Sequence, residues 1–532
     1  MSMRKRWGAS VLIAGCAGLG VWAAFPPLGW WWAAPLGLAL LASVLRDRGP
    51  WTGAGLGLVF GIALFTPLLH FTAVAMGNPI GWAALTVVES LYLAVFGAAW
   101  ALASRIGVLQ RHGTLTVLAR IVAFTVLWCG VEEVRSSWPW GGFPFGRLAF
   151  AMADAPMLPF AAYGGAVGLS ALVACAGAGL AEAGRALREH RALNALAAAA
   201  LAGVVAVAPM LLPVDGAAED GTLRVGAVQG NVAEEFEDAF NRALEVTGNH
   251  AEATRQLADD VGTGALDVVI WPENAADLDP RATPASAALV ESSAQAVGAP
   301  ILVGAILYAN GERYNDVVVW TPGQGAGEYY RKHRPVPFAE YVPLRDQLRH
   351  LTRQVDRIGT DLAPGTGPYT LPVHAAVQDR DVLLAMGICF EVAYDDTLRS
   401  GVEQGGELIV IPTNNASFLT SSEAEQQLAQ GRVQAVIHGR ALVQVSTVGV
   451  TAIINPRGGV EQRTEAYTQA ALVADVPLRT SITVADRLGA LPGRALEMGA
   501  ALLAVAGMVS GMARLRRRRR RNVARSRRRR RT

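Results

Sequence analysis

Eight long apolar runs constrain this chain more than any other feature of its sequence. A run of about 18 or more apolar residues can cross the hydrocarbon core of a bilayer. Since 52% of the 532 residues are hydrophobic, the chain is also too apolar for a single soluble domain. We therefore expect a membrane protein with about eight transmembrane helices. The runs lie at about 8–24, 30–45, 52–74, 80–103, 115–133, 159–181, 193–212 and 490–512.

The basic residues of the short loops predict how these spans are oriented. Short loops rich in Lys and Arg stay on the cytoplasmic side of a membrane. The start MSMRKR and the loops at 46–49, 105–112 and 184–192 are basic, and they alternate with poorly basic loops. Both termini are then cytoplasmic, and the polar region after the seventh span lies outside. A cleaved signal peptide is the alternative for the first span, and it hardly changes this topology.

The tail from Arg514 to Thr532 carries 13 arginines and no acidic residue. Without them, 34 basic residues face 44 acidic ones, so the tail alone makes the net charge positive. Arginine runs also bind nucleic acid, but a run directly after a membrane span is more typical of contact with anionic lipid. We expect no nucleic-acid partner, and a cytoplasmic protein partner of the tail stays open.

Between the last two spans, short buried strands alternate with amphipathic helical stretches, which predicts a layered α/β domain with a sheet core. The predicted strands are 223–229, 266–271, 300–306, 315–321, 381–389, 407–413, 441–447 and 449–455. The predicted helices are 236–261, 283–297 and 422–440. The expected domains are 1–215 with seven transmembrane helices, the exocytoplasmic 222–478, the eighth helix at 488–513 and the cytoplasmic tail 514–532.

Three of the predicted strands end in polar clusters, namely WPEN at 271–274, GICFE at 387–391 and PTNNAS at 412–417. In sheets that helices cover, reactive groups collect beyond the carboxyl ends of the strands. We therefore expect these three clusters to share one cleft.

Cys389 is the single cysteine of the polar region, because the other three fall in predicted spans. It has no disulfide partner there, so it is either a buried small residue or a reactive one. The chain contains no CxxC pair and no His/Cys cluster with zinc spacing, which argues against a metal site.

Glu273, Lys332 and Cys389 all lie at or near the ends of predicted strands. A thiol becomes a nucleophile when a carboxylate base or a neighbouring ammonium helps it to ionise, and no histidine is then required. An ammonium also stabilises the oxyanion of a tetrahedral intermediate. Taken singly, Glu273 is better explained as a surface acid or a neighbour of a helix N-cap, and Lys332 as an exposed cation. For Cys389 a small core residue is the alternative to a reactive thiol.

The motifs WPEN, RKHRPVPFAEYVP and GICFE follow one another at 271–274, 331–343 and 387–391. In this order and spacing they resemble the nitrilase superfamily, whose active site is a Glu-Lys-Cys triad on an α-β-β-α sandwich. VQGN at 228–231 and WCGVEEVRSSWPWGGFPFG at 128–146 are similar to its membrane-bound branch, the bacterial apolipoprotein N-acyltransferases. The likeness covers roughly 8–512.

That resemblance implies a multi-span α-helical membrane domain joined to an α/β nitrilase-like sandwich, in a bacterial cytoplasmic membrane. It implies acyl transfer without a cofactor, from a membrane phospholipid to the α-amine of a diacylglyceryl-modified apolipoprotein. Glu273 is then the base, Lys332 the transition-state cation and Cys389 the nucleophile, while Glu340 and Glu391 brace the pocket. Phe390 stands where members of the family often have tyrosine.

Two other functions stay open at this point. A membrane-tethered amidase with a soluble substrate needs the same three residues but no opening to lipid. A membrane scaffold for a cytoplasmic glycosyltransferase acting on lipid-linked sugars needs no active triad. In the membrane half, Glu132 and Arg135 are three residues apart on one helical face. We expect either a structural pair of these two residues that holds the GFPF loop at 142–145 or a contact with substrate, and we do not count them as catalytic.

Overall fold

The computed structural model describes residues 3–111, 113–232, 244–350 and 353–529. Within these ranges, helices make up the two ends of the chain, and helices and strands alternate between them. The α-helices are α1 Met3–Trp22, α2 Ala33–Leu45, α3 Pro50–Leu68, α4 Phe71–Met76, α5 Pro79–Ala103, α6 Thr114–Ser137, α7 Ala161–Arg188, α8 Ala192–Val207, α9 Glu245–Val261, α10 Pro284–Val297, α11 Arg345–Arg349, α12 Asp395–Glu403, α13 Glu423–His438, α14 Val484–Leu488 and α15 Leu491–Arg529.

Helices occupy all eight predicted spans, but they differ in length. Among the described residues, six helical segments are long and apolar enough to cross a membrane, with mean hydropathies from 1.5 to 1.9. The first two apolar segments, Trp7–Trp22 and Ala33–Leu45, are shorter. At 1.5 Å per residue, the second of these spans only about 20 Å, less than the ~30 Å hydrocarbon core. The predicted class of membrane protein is confirmed, and the predicted count of eight spans is approximate.

The span expected at 52–74 is not one continuous helix. Helix α3 ends at Leu68, one residue after Pro67, which has no N–H to donate to the preceding turn. The chain then turns and forms the short α4, which ends at Gly77 in the left-handed conformation with φ of 61°. Asn78 starts α5 because its side chain accepts a hydrogen bond from the N–H of Ile80 at 3.1 Å.

The polar region forms two six-stranded sheets, and the predicted α/β nitrilase-like fold is confirmed. The first sheet has the order β12-β1-β2-β3-β4-β5 and the second β11-β10-β9-β8-β7-β6. The strands are β1 Thr222–Gln229, β2 Val268–Ile270, β3 Ile301–Ala309, β4 Glu312–Thr321, β5 Gly325–Arg331, β6 Thr370–Ala375, β7 Arg380–Met386, β8 Leu408–Thr413, β9 Leu442–Ser446, β10 Ala452–Ile454, β11 Val460–Arg463 and β12 Ala470–Pro477.

Along the central strands, side chains point alternately to the inner and the outer face of each sheet. In β2, Val268 and Ile270 belong to the core between the sheets, whereas Val269 packs with the helices α9 and α10 on the outer face. In β8, Val410 faces the same inner core and Ile409 packs on the outer side with α12 and α13. Successive strand residues point to opposite faces, so buried strands of this kind produce four layers, α-β-β-α.

Each of the eight predicted strands corresponds to an observed strand, and the four missed strands, β5, β6, β11 and β12, are the four edges of the two sheets. Three of the four are mostly exposed or half-buried along their length, and so they lack the apolar runs that identify central strands. The predicted helix 236–261 is observed as Glu245–Val261, and residues 236–243 lie outside the described residues. The predicted strand 381–389 ends at Met386.

Polar contacts join the helical part to the sheets. Arg147, buried in the loop after α6, pairs with Glu133 of α6 and lies 3.5 Å from a carboxylate oxygen of Asp395, the first residue of α12. From α13, Arg432 donates to the carbonyl oxygen of Ala153 at 3.0 Å. The two parts of the chain therefore share a packed, hydrogen-bonded boundary.

Helices α3 and α5 approach each other closely through small residues. A Cβ atom added to Gly97 of α5 would lie 2.2 Å from the carbonyl oxygen of Gly53 in α3. No real contact is that short, so this crossing requires glycine. Small residues commonly allow close helix packing in membranes.

We therefore predict that Gly97→Ala lowers the stability of the detergent-solubilised protein by about 1–3 kcal/mol, because the new methyl group overpacks this crossing. The matched control is Gly203→Ala in α8, where an added Cβ meets nothing within 4 Å. The control should be neutral or slightly stabilising, since alanine favours helix. Thermal unfolding followed by circular dichroism measures both, and equal melting temperatures for the two variants would contradict the packing argument.

Candidate active site

Glu273 follows β2 and is held by groups from three different segments. Its Oε1 accepts hydrogen bonds from Asn315 Nδ2 at 2.6 Å and from Lys332 Nζ at 3.3 Å, and its Oε2 accepts one from the N–H of Asn414 at 2.9 Å. Gly304 of β3 makes this possible, because a Cβ there would lie 2.2 Å from the carbonyl oxygen of Pro272. The carboxylate is therefore fixed and only 4% exposed.

Lys332 directly follows β5 and is 1% exposed. Its Nζ lies 2.7 Å from Glu340 Oε1 and 3.3 Å from Glu273 Oε1. The other carboxylate oxygen of Glu340 accepts a bond from the N–H of Val336 at 2.7 Å. A buried ammonium thus sits between two carboxylates, and Glu340 is the closer partner.

Cys389 lies just beyond β7, at the first residue of a short 3-10 turn, Cys389–Ala393. Its φ of 56° places a non-glycine residue in the left-handed region. That conformation is uncommon and is often found at functional sites, where the surrounding structure maintains it. The side chain is 7% exposed, so the thiol is nearly enclosed.

The three groups shift one another's pKa values. Burial raises the pKa of the Cys389 thiol well above its usual value, the charge of Glu273 raises it further, and the Lys332 ammonium opposes both. Burial also raises the pKa of Glu273, although Lys332 lowers it. For Lys332, burial disfavours the charge, but Glu273 and Glu340 outweigh it and raise the pKa well above normal. The resting thiol is neutral, and an adjacent base is needed to ionise it.

Glu391 is fully buried and joins the turn of Cys389 to the segment around Lys332. One of its oxygens accepts from the N–H groups of His333 at 2.8 Å and Arg334 at 2.9 Å. The other accepts from the N–H of Ile388 at 2.7 Å and from the hydroxyl of Tyr330 at 2.9 Å. Four hydrogen bonds to one carboxylate fix the two segments relative to each other.

The polar clusters expected in one cleft do come together. Glu273 of WPEN bonds to the backbone of Asn414 in PTNNAS, and its charge acts on Cys389 of GICFE. Glu273 and Lys332 come from the first sheet, whereas Cys389 and Asn414 come from the second. The site therefore lies where the strand ends of the two sheets meet. Among the described residues, no group of three or more His, Cys, Asp or Glu side chains is placed to hold a metal ion.

Sequence reasoning did not single out Asn315 or Glu423. Asn315 lies within β4, and only its hydrogen bond to Glu273 marks it. Glu423, the first residue of α13, is fully buried, and its Oε2 accepts from Asn415 Nδ2 at 2.6 Å. Burial raises its pKa to about 8. The composition could have drawn attention to Lys332, because it is one of only two lysines in an arginine-rich chain.

An aromatic cluster connects Cys389 to the helical part. Phe390, the next residue, packs against Phe145 with ring centroids 4.7 Å apart and against Phe418 at 5.7 Å. Phe71 of α4 contacts Phe145, Phe390 and Phe418, and Phe143 stacks on Phe145. Phe390 therefore contributes apolar packing where a tyrosine would present a hydroxyl.

The expected pairing of Glu132 with Arg135 is wrong. Arg135 pairs instead with Glu89 of α5 at 2.6 Å, because the neighbouring helix brings that carboxylate closer. Arg135 does hold the GFPF loop, since it donates to the carbonyl oxygens of Phe143 and Phe145 at 2.9 and 2.8 Å. Glu132 accepts from the N–H of Leu148 in the same loop.

Comparisons with known proteins agree with this architecture. Residues 17–179 match the family model of the apolipoprotein N-acyltransferase N-terminal domain, and residues 224–486 match that of carbon-nitrogen hydrolases. Apolipoprotein N-acyltransferase from Mycolicibacterium smegmatis is 35% identical, over 93% of this chain and 84% of that relative. The protein of that name from Azotobacter vinelandii is 30% identical, over 97% and 96%. A crystal structure of an amidase from Nesterenkonia sp. is 15% identical with a TM-score of 0.35, over 50% of this chain and 94% of that one.

The two-sheet domain and the match over 224–486 define a carbon-nitrogen hydrolase domain carried by a membrane-spanning helical part. With relatives of 35% and 30% identity that extend over nearly the whole chain, the protein belongs to the apolipoprotein N-acyltransferase family. The family expected from the motifs is confirmed. Neither a tethered amidase nor an inactive scaffold is favoured by these relatives.

Glu423 gives this site a testable pH dependence. Its pKa rises from 4.5 to about 8 on folding, chiefly because burial disfavours the charge. An acid whose pKa is raised on folding stabilises the protein fully below pH 4.5, and this stability is lost as the pH rises through about 8. The shift corresponds to on the order of 5 kcal/mol.

We therefore predict that Glu423→Gln flattens the decline of thermal stability between pH 5 and 8, because glutamine cannot ionise. Melting temperatures of the wild type and the variant, measured in steps across that range, give the comparison. Glu425→Gln is the control, since Glu425 is an exposed partner of Arg463, and it should follow the wild type. Parallel curves for Glu423→Gln and the wild type would show that folding does not raise the pKa of Glu423.

Proposed function

We propose that this protein transfers an acyl chain from a membrane phospholipid to the α-amino group of the diacylglyceryl-cysteine at the amino terminus of a lipoprotein. The relatives that span nearly the whole chain carry the name apolipoprotein N-acyltransferase, which supports a lipoprotein as the acceptor. The single observation that carries the chemistry is the buried cluster of Glu273, Lys332 and Cys389.

In the first half of the proposed reaction, Cys389 is the nucleophile and Glu273 the base. Glu273 takes the thiol proton while the sulfur attacks the carbonyl carbon of the phospholipid ester. The tetrahedral intermediate then loses its bond to the glycerol oxygen, and Glu273 returns the proton to that oxygen. A lysophospholipid leaves, and the acyl chain remains as a thioester on Cys389.

In the second half, the neutral α-amine of the lipoprotein attacks the thioester carbonyl. Glu273 takes a proton from the attacking nitrogen, the carbon–sulfur bond breaks, and the proton returns to the sulfur. The product is an amide, and the free thiol is restored. Because one base serves both halves in turn, donor and acceptor react successively.

Lys332 stabilises the negative charge that develops on the carbonyl oxygen in both halves. It does so from a fixed position, since Glu340 holds its ammonium at 2.7 Å. Preorganised charges in a water-excluded site need no reorganisation during the reaction, and so they are effective there. Glu391 acts as a positioning residue, because it fixes the turn of Cys389 against the segment around Lys332.

The proposed function also requires a particular placement of the chain in the membrane. We assign 1–215 and 488–513 to the membrane, 222–478 to the catalytic domain on the outer side and 514–532 to a cytoplasmic tail. The alternation of basic loops supports this orientation. The aromatic cluster supports a lipid donor, because apolar rings lie directly beside the nucleophile and against α4.

The thioester gives the first test of this proposal. Purified protein mixed with phospholipid should gain one acyl mass on Cys389, detected by intact and peptide mass spectrometry. Cys389→Ala should gain none, because the attacking sulfur is absent. Cys175→Ala is the matched control, since Cys175 is a free thiol in α7, and it should acylate like the wild type. Acylation of Cys389→Ala to the wild-type extent would refute the nucleophile assignment.

The acceptor requires a separate test in cells that lack any second copy of the enzyme. With Cys389→Ala, the N-terminal peptide of a lipoprotein should carry only the diacylglyceryl group and a free amine. An amide-linked third chain on that peptide would refute the transferase function.

The pH profile tests the role of Lys332. Its charge lowers the pKa of Glu273, so Lys332→Met should raise that pKa further. Thioester formation needs ionised Glu273, and it falls as the pH falls through this pKa. The acidic limb of the rate profile should therefore move to higher pH in the variant, and the maximal rate should drop by roughly 10²–10³-fold.

Lys332→Arg is the matched variant for that experiment. It keeps the positive charge but changes its geometry, so the rate should fall while the acidic limb stays near that of the wild type. If Lys332→Met formed the thioester more slowly but the acidic limb of its rate profile did not move, Lys332 would not lower the pKa of Glu273.

A further inference from the structure

A cavity of about 340 Å³ lies at the end of the helical part remote from the active site. It lies where α2 and α5 end, α6 begins and α7 ends. Helix α7 shows the separation, because Gly165, at a kink near its start, lies against Ala485 of α14, whereas Arg188 at its other end lines the cavity. The helical residues 166–188 after the kink span about 35 Å. This cavity is therefore distinct from the site of Cys389.

Arginine side chains dominate the wall of this cavity. Arg46, Arg120, Arg185 and Arg188 line it together with Asp47 and Glu182 as its acids. Arg120 is already neutralised, because it forms two hydrogen bonds to Glu182 at 2.8 and 2.6 Å.

The charges of the other three arginines are less well balanced by carboxylates. Arg46 has only longer contacts to carboxylates, 3.4 Å to Asp47 and 3.5 Å to Glu189. Arg185 lies 2.8 Å from Glu189. For Arg188, no carboxylate oxygen of the described residues lies within 4 Å, and its Nε donates to the carbonyl oxygen of Gly184. The wall thus carries positive charge that an anionic ligand would neutralise.

The inner wall supplies a second, independent indication of a ligand. Trp100 lines the cavity, is 6% exposed, and its indole N–H has no hydrogen-bond partner among the described residues. An unpaired buried donor is destabilising, and a ligand oxygen would satisfy it. Ile121 and Phe124 make the neighbouring wall apolar, so a polar rim faces an apolar interior.

The surroundings add to the positive potential. Arg514 of α15 donates to the carbonyl oxygen of Arg105 at 2.7 Å and to Gln110 Oε1 at 2.6 Å, and Gln110 lines the cavity. The first arginine of the tail therefore reaches the cavity rim. Guanidinium groups bind phosphate oxygens with matching fork geometry.

We propose that this cavity binds a phosphate-bearing anion, with the phosphate between Arg46 and Arg188 and an oxygen within reach of Trp100. The volume suits a ligand of headgroup size. The phosphate belongs either to an anionic phospholipid of the surrounding leaflet or to a free phosphate compound. Binding here is separate from acyl transfer and does not depend on the proposed function.

Native mass spectrometry of the full-length protein in detergent tests the lipid source. All proteins carry Cys389→Ala, so that bound phospholipid is not consumed. We call the protein with Cys389→Ala alone the parent. With added phosphatidylglycerol, the parent should retain one lipid that Arg46→Gln/Arg188→Gln does not retain. The intensity of this lipid adduct should be at least tenfold higher in the parent than in the double variant. Arg255→Gln, an exposed arginine paired with Glu252 on α9, is the control and should retain the lipid.

Inorganic phosphate tests the other source. If the ligand is free phosphate, phosphate should raise the melting temperature of the Cys389→Ala parent and of Arg255→Gln but not that of Arg46→Gln/Arg188→Gln, and all three proteins should retain lipid equally. If the ligand is a lipid, the double variant should retain less lipid, and phosphate should change no melting temperature. Equal lipid retention and equal phosphate response in the parent and the double variant would overturn the proposal.

Discussion

The buried ammonium of Lys332 between Glu273 and Glu340 is the interaction on which the site depends. A charge in a protein interior is strongly disfavoured unless it is paired and hydrogen-bonded. Burial raises the pKa of the Cys389 thiol and the charge of Glu273 raises it further, so the resting thiol is neutral. Burial and the charge of Glu340 also raise the pKa of Glu273 against the effect of Lys332, which suits Glu273 to accept a proton in the proposed reaction. The arrangement therefore combines an inert resting thiol with a base that is ready to act.

The two sheets cooperate to maintain this arrangement. Glu273 and Lys332 follow strands of the first sheet, and the turn of Cys389 follows a strand of the second. At the site, the bonds that cross between the sheets include those from the N–H of Asn414 to Glu273 and from the hydroxyl of Tyr330 to Glu391. Since these groups come from different sheets, a shift of one sheet against the other would separate Glu273 from Cys389, the base and the nucleophile of the proposed reaction. The packed core between the sheets is thus part of the catalytic geometry.

Elements and residues with a local sequence pattern were predictable, whereas those defined by contacts between distant parts of the chain were not. The central strands were predictable because both of their faces are buried, which gives continuous apolar runs. The edge strands were not predictable, since each has a neighbouring strand on only one side. Three of the four are therefore mostly exposed or half-buried and lack such apolar runs. Glu273 and Cys389 follow recognisable strands, but Asn315 and Glu423 matter only through partners distant in sequence. Arg135 shows the same limit, because its carboxylate is on the neighbouring helix rather than one turn away.

The aromatic cluster explains why a thioester site benefits from attachment to membrane helices. A thioester is lost if water reaches it before the second substrate does. Phe390 directly follows Cys389, and its ring is covered by Phe71 and Phe145, which belong to the helical part. The enclosure of Cys389 is therefore completed by residues outside the two sheets. Removing the helical part would uncover Phe390 and, beside it, Cys389 on that side, so the two sheets alone would not supply the exclusion of water that the proposed transfer requires.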